Sequence, residues 1–467
     1  MAAIRVTAAA VLILFAVALS ADCVSDTRLI STRESVPNLV AGPVAWSGNV
    51  LGVAKTQADN RNALWFSVYG HGLETLSPDR LIATDAVRVD ELLWNGSEFG
   101  LFYRTSNRTF LQRIATSGEP IGERVELNAS RTTRLGDEVE VAWSSALDAW
   151  VLARHINAGV FRGLWVTLLE RNGSERRDVR LPVAPAIEAE LALAVTDSGI
   201  IGVFAISADD GRIWISTIEG SGFPRATSIA PAGTDVHAAS INNLFVVTRL
   251  TGAEATSEIR WFVADTSHQI VRADAALVPA NGAAMMPLSL VGANGELAQT
   301  YVDGEGFFRL RRFTPTGVIL GDSRFAATFP TAVRAFSEYP LVWTGSAYIT
   351  SAVRQLSNRL DSYLVRYCPL TVAIVAPRVV RPGEPVTITS DVSGGAPPYT
   401  YQWTISREPG TSRTPSLQRT FATTGSRLVT LTVTDSSGVQ VTTTLTIDVV
   451  DTPPPPPPSP RRRSVRH

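Results

Sequence analysis

Apolar and polar residues alternate in short runs along this chain, and one arrangement of runs keeps returning. An apolar run ends in Trp or a smaller substitute, a small polar turn follows, and a second apolar run begins. It reads VAWSGNVLGVA from Val44, LLWNGSEFGLFY from Leu92, VAWSSALDAWVLA from Val141 and LALAVTDSGIIGVFA from Leu191. It continues as HAASINNLFVV from His237, LSLVGANGELAQTY from Leu288 and LVWTGSAYITSA from Leu341. The residue before each turn is Trp46, Trp94, Trp143, Val195, Ser240, Val291 or Trp343, so the copies recur about every 50 residues. Alternating β-branched and aromatic residues bounded by Gly, Asn, Asp and Ser predict strands joined as hairpins.

Each copy then supplies a third strand, a turn with Gly and a short fourth strand. The second copy gives TFLQRIA, TSGEPIG and RVELNAS, the fourth GRIWISTIEGSGFPRATSIA, and the sixth FFRLRRFTPTGVILGDSRFAA. No segment here has the period of a long amphipathic helix. Seven four-stranded repeats of this length predict an all-β fold, a seven-bladed β-propeller, in which radial packing leaves only short sheet edges. The seventh copy runs from DSYLVRY straight into CPLTV without a fourth strand. The N-terminal TRLISTRESVPNLVAGPVAW resembles the segment that precedes the second anchor, so Arg28 to Ser31 is expected to supply the missing outer strand.

After Pro369 the pattern changes to some seven short strands in about 80 residues with one central Trp, the signature of a small β-sandwich. Pro398-Tyr399-Thr400-Tyr401-Gln402-Trp403, Phe421-Ala422-Thr423-Thr424-Gly425 and Leu431-Thr432-Val433-Thr434-Asp435 resemble the polycystic-kidney-disease (PKD) type domain, an immunoglobulin-like fold. The resemblance implies an extracellular spacer or adhesion module, with Trp403 filling the sandwich interior. The family's acidic Gly-Asp-Gly turn is replaced here by TISREPGTSRTPS, which removes the basis for ion binding there. Beyond Asp451, PPPPPPSPRRRSVRH predicts an extended polyproline segment with a positive end, able to make weak contact with an anionic cell surface.

The N-terminus reads as a processing segment: Arg5, an apolar stretch from Ala8 to Leu19, then the small Ser20 and Ala21. LSADC is not a lipoprotein box, because Asp22 stands where a small residue is needed. No later segment has the roughly 20 consecutive apolar residues of a membrane helix. The expected organisation is a signal peptide at 1–21, a propeller at 22–368, a PKD-like sandwich at 369–450 and a disordered Pro- and Arg-rich tail at 451–467. The expected location is secreted or at the cell surface. In that oxidising setting Cys23, just before the closing strand, and Cys368, just after the last third strand, are expected to pair. Such a bridge closes a loop of about 345 residues, worth more than about 4 kcal/mol in the chain-entropy picture.

Composition adds little direction. The chain has 467 residues, 45% apolar, with a net charge of −1. Setting aside the four tail arginines leaves a mildly acidic body, which argues against nucleic acid as a partner. Lys55 is the only lysine, so the basic residues are essentially all Arg.

Chemistry is sparse. The five histidines, His71, His155, His237, His268 and His467, lack partners at metal-ligand spacing, and GxSxG, HExxH, P-loop and EF-hand motifs are absent. No cofactor or metal site is expected. Ser207, Asp209, Gly211 and Trp214 fit the Ser-x-Asp-x-Gly-x-x-Trp spacing of the Asp-box of sialidases and other propellers, a turn device with a packed aromatic. The recurrent tryptophans are expected to pack between sheets. Two functions fit. One is a non-catalytic binding or adhesion protein that recognises an extracellular glycan or protein through propeller loops and the PKD-like module. The other is a polysaccharide hydrolase or lyase, with Asp209 and Asp210, or Asp303 and Glu305, as acid and base. Neighbouring strand residues point apart, which disfavours those pairs.

Overall fold

The computed structural model describes residues 26–30, 39–57, 62–127, 138–156, 162–182, 187–219, 222, 224–230, 232–252, 256–279, 286–303, 308–324, 341–355, 360–436 and 438–451. The segment read as a signal peptide, Cys23, Glu305 and the Pro- and Arg-rich run from 452 lie outside the described residues.

Seven four-stranded antiparallel sheets follow one another along the chain. Blade 1 comprises Leu39–Trp46, Leu51–Gln57, Leu64–Tyr69 and Thr75–Ala83. Blades 2 to 6 repeat this plan over 88–127, 138–180, 187–230, 234–278 and 286–324. The hairpin turns determine the register. Every anchor pairs with a residue at the start of the second strand: Trp46 with Leu51, Trp94 with Phe99, Trp143 with Trp150, Val195 with Ile201, Ser240 with Phe245, Val291 with Ala298 and Trp343 with Tyr348.

Blade 7 has Val342–Trp343, Tyr348–Gln355 and Leu360–Tyr367 from the end of the propeller chain, and its fourth strand comes from the N-terminus. That strand is Asp26–Leu29, antiparallel to the third strand with Asp26 opposite Arg366 and Leu29 opposite Tyr363. It begins two residues earlier than the expected Arg28 to Ser31. Ile30, just past the strand, is buried and still donates its amide to the Ser362 carbonyl of the third strand. Arg28 reaches into blade 1, donating to the Leu73 carbonyl and to Thr75 Oγ1. Blade 1 answers across the same seam: the Ala41 amide donates to Ser362 Oγ, and Ser351 Oγ donates to the Gly42 carbonyl.

The core lies between blades. Second strands such as Phe99–Arg104, Ala149–Ile156 and Ile201–Ser207 are buried along their whole length, because both faces meet a neighbouring sheet. Fourth strands are mixed, as in Thr75–Ala83. Trp150 is fully buried against Phe102, and a Cβ on Gly100 would come within 2.6 Å of its ring, so the close approach of blades 2 and 3 requires glycine there. Burying one such indole removes on the order of 200 Å² from water, roughly 5 kcal/mol of transfer free energy.

Residues 371–449 form a sandwich of two sheets. One joins Thr371–Val375, Pro385–Ser393 and Ser416–Thr420; the other joins Val379–Val380, Gln440–Val449, Gly425–Thr434 and Thr400–Ile405. Alternate residues turn inward around Trp403, Ile388, Phe421, Leu431 and Ile447. The Trp403 indole N–H donates to the Thr414 carbonyl, so its one polar atom is satisfied in the core. The Gly395 amide donates to the Cys368 carbonyl, tying the sandwich to the end of blade 7.

Candidate functional site

The first strand of each blade lies against the first strands of the two neighbouring blades, all the way round, so these strands stand innermost, around the axis. Strand direction then gives the ring two rims. One carries the turns from first to second strand and from third to fourth. The other carries the second-to-third connections and the links between blades. Loops of that second rim at 58–61, 128–137, 157–161, 280–285, 304–307 and 325–340 lie outside the described residues.

The turn rim is built from tight hairpins. Asn95 Oδ1 accepts the Ser97 and Glu98 amides, and Ser47 Oγ accepts the Val50 amide, so short polar side chains close the turns. Gly48, Gly96 and Gly345 occupy the left-handed region at φ 97°, 92° and 96°, where a side chain would be strained.

Just inside these turns stand Trp46, Trp94, Trp143 and Trp343, each partly exposed rather than enclosed between sheets. As expected they pack against the interblade cores, Trp46 between blades 7 and 1, Trp94 between 1 and 2, Trp143 between 2 and 3 and Trp343 between 6 and 7, but at the strand ends each keeps part of its surface exposed. Three rest upon an aromatic at the start of the second strand or close to it, Trp94 and Trp143 edge-on and Trp343 tilted. Trp94 and Phe99 centroids are 5.0 Å apart, Trp143 and Trp150 4.8 Å, and Trp343 and Tyr348 4.6 Å. Trp46 meets His71 at 5.6 Å, and His71 Nε2 lies 3.3 Å from Thr344 Oγ1 and 3.0 Å from Ser346 Oγ of blade 7. Burial and the Arg366 charge hold the His71 imidazole below its usual pKa, so it stays neutral in this contact. Arg171 stacks over Trp143 at 5.0 Å and donates to Ser97 Oγ of blade 2 and to Asp148.

Toward the other rim the inner strands of blades 2 to 5 carry Arg88, Asp90, Glu91, Glu138, Glu140, Glu188, Glu190 and Asp235, whereas those of blades 6, 7 and 1 carry no charge. Asp90 takes two bonds from Arg104 Nε, at 2.8 and 3.0 Å. Glu190 accepts the Asp235 amide at 2.6 Å, and burial raises the Asp235 carboxyl. His237 is bound to the Pro287 carbonyl, its Nε2 is buried without a hydrogen-bond partner, and desolvation pushes it down to about 4. Sequence reading missed this arc, although Glu91, Glu140 and His237 each stand three residues before an anchor and would have emerged from an anchor-based alignment.

The Ser207, Asp209, Gly211, Trp214 motif spans a turn between the second and third strands of blade 4. Ser207 accepts the Gly211 amide through its carbonyl and the Asp209 amide through Oγ, at 2.8 and 3.3 Å, and Gly211 has φ 65°. Asp210 accepts the Arg212 amide, and those bonds lower its carboxyl pKa. Asp303 is held by Arg309 at 2.6 Å. These acids serve a turn and an ion pair, and the structure brings Asp209 and Asp303, on blades 4 and 6, into no shared cluster. Cys368 is buried, with its expected partner Cys23 outside the described residues. Among the described residues no group of three or more His, Cys, Asp and Glu could hold a metal ion, and no helix is long and apolar enough to cross a membrane.

Residues 370–449 match the family model of the PKD domain. No curated protein matches the chain. Among solved structures, it is similar to the extracellular domain of a hybrid two-component system from B. thetaiotaomicron, at 7% identity and TM-score 0.45 over 92% of this chain and 60% of that one. It is also similar to the Dos1 propeller, at 10% identity and TM-score 0.42 over 74% and 94%. The β-propeller domain of the Trilobed protease from Pyrococcus furiosus gives 8% identity and TM-score 0.44 over 70% and 95%. The chain thus spans less than two thirds of the first of these structures, and identities this low speak to fold alone.

Proposed function

We propose that this chain is a non-catalytic, secreted or cell-surface binding protein that recognises a glycan or protein partner through the mouth of its propeller and its PKD domain. The observation that carries this reading is the pairing of a PKD domain with a propeller whose turn rim leaves tryptophans partly exposed around the axis. Aromatic side chains with one apolar face and a polar edge favour recognition at a wet surface. The acids that a hydrolytic reading would need offer weaker support, since Asp209 and Asp210 belong to a turn and Asp303 to an ion pair. A PKD domain also fits an extracellular setting.

The test is to incubate residues 22–467 with insoluble polysaccharides and to measure both retention on the solid and release of reducing ends or unsaturated products. Retention without product is the expected result. Product release would overturn the non-catalytic reading and favour a hydrolase or lyase.

A further inference from the structure

We propose that Trp46, Trp94, Trp143 and Trp343 form a crescent that binds a glycan chain by stacking on its pyranose rings. The inference rests on the binding reading above and narrows it to one ligand chemistry and one place.

The four tryptophans belong to blades 7, 1, 2 and 3, which are consecutive around the closed ring. Direct contacts link their turns: His71 of blade 1 touches Trp46, Thr344 and Ser346, and Arg171 of blade 3 touches Trp143 and Ser97. The same position in blades 4, 5 and 6 holds Val195, Ser240 and Val291. Those blades form equally regular hairpins, so the fold itself does not demand an indole there. What the crescent adds is a run of large, rigid rings on one side of a rim.

Their polar atoms agree. Trp150 and Trp403, in the cores, donate their indole N–H to the Arg171 and Thr414 carbonyls. The four rim tryptophans, by contrast, donate to none of the described residues, and none of them is a buried donor left without a partner. Beside them stand Ser47, Asn49, Ser97, Thr344 and Ser346, neutral donors and acceptors suited to sugar hydroxyls. The aromatic beneath each of Trp94, Trp143 and Trp343 fixes its ring before ligand arrives, which reduces the ordering cost of binding.

The test uses residues 22–467 and soluble hexasaccharides of β-1,4-linked glucose, N-acetylglucosamine and xylose, with insoluble forms for retention. Binding of at least one should shift tryptophan emission saturably. Trp94→Ala and Trp343→Ala should weaken it about tenfold, equivalent to 1.4 kcal/mol. Trp94→Phe and Trp343→Phe, which keep packing on Phe99 and Tyr348, should weaken it several-fold with unchanged melting. Unchanged affinity in the folded Phe and Ala variants would overturn the crescent while leaving the binding reading intact. Failure of the unmodified protein to retain any of the three glycans would also overturn it.

Discussion

Lys55 Nζ lies 2.6 Å from Asp79 Oδ1 and 2.8 Å from Tyr69 Oη, with only 1% of the side chain exposed. The only lysine of the chain thus sits inside blade 1, joining its second strand to its fourth. Four residues past each turn partner, blades 3 and 5 place Arg154 and Arg249, which reach Asp178 and Asp274 at 3.5 and 3.0 Å. Blade 2 reverses the polarity: Tyr103 takes that place, and Arg124 on the fourth strand donates to it at 3.2 Å while paired with Asp85. Each link crosses the third strand and braces its blade.

Lys55→Met should cost roughly 3 kcal/mol, because it leaves the Asp79 carboxylate partly buried without its cation. Lys55→Met with Asp79→Leu should recover part of that loss. Urea unfolding of the two variants checks this, and an amine-reactive label should reach Lys55 only after denaturation. Labelling of the native protein at Lys55 would contradict its burial.

In the closing strand Asp26 lies opposite Arg366, two residues before Cys368. Cys23 and Cys368 are expected to be joined there. Cys368→Ser should lower stability by about 2–5 kcal/mol relative to the oxidised protein, and reduction should have the same effect. Two thiols titrating in the unreduced protein under denaturant would exclude the bridge.

His237 should make stability depend on pH. Its folded pKa of about 4 lies below the ordinary 6.5, so the unfolded chain binds the extra proton and stability falls as pH drops from about 6.5 to 4. The loss approaches roughly 3 kcal/mol. His71 and His268, also lowered, act in the same direction. Asp235, raised by burial, acts in the opposite sense, its contribution present while it is protonated and lost as pH rises above the ordinary carboxylate range. His237→Gln should therefore flatten the acid limb of a melting-temperature profile without abolishing it, and an unchanged profile would rule His237 out as a source.

Gly211→Ala should destabilise the protein by about 1 kcal/mol or more, since the residue has φ 65° and a Cβ there would meet Ala232 at 3.2 Å. Asp209→Ala, at an exposed position, should change stability by less than about 0.5 kcal/mol. Thermal melts of both variants separate a turn device from an acid needed for function, which would show instead as lost binding in Asp209→Ala.

Legibility followed from the range of the physics. The repeat was readable because each anchor and its partner on the second strand are separated by a single hairpin turn, so Trp94 and Phe99 belong to one local pattern. The PKD sandwich was readable through the alternation around Trp403 and the run ending at Asp435. The braces were not, because Lys55 and Asp79 are 24 residues apart with a strand between them, and neither residue is unusual locally. The partial exposure of the rim tryptophans also escaped sequence reading, since period alone marks a side chain as facing a sheet and carries no measure of how much of it solvent still reaches.

The most direct measurement titrates residues 22–467 with whichever glycan hexasaccharide binds, then recovers the ligand after prolonged incubation and weighs it by mass spectrometry. The account predicts saturable binding and an intact hexasaccharide. Shortened or unsaturated products would contradict it, showing that the propeller acts on the glycan it holds.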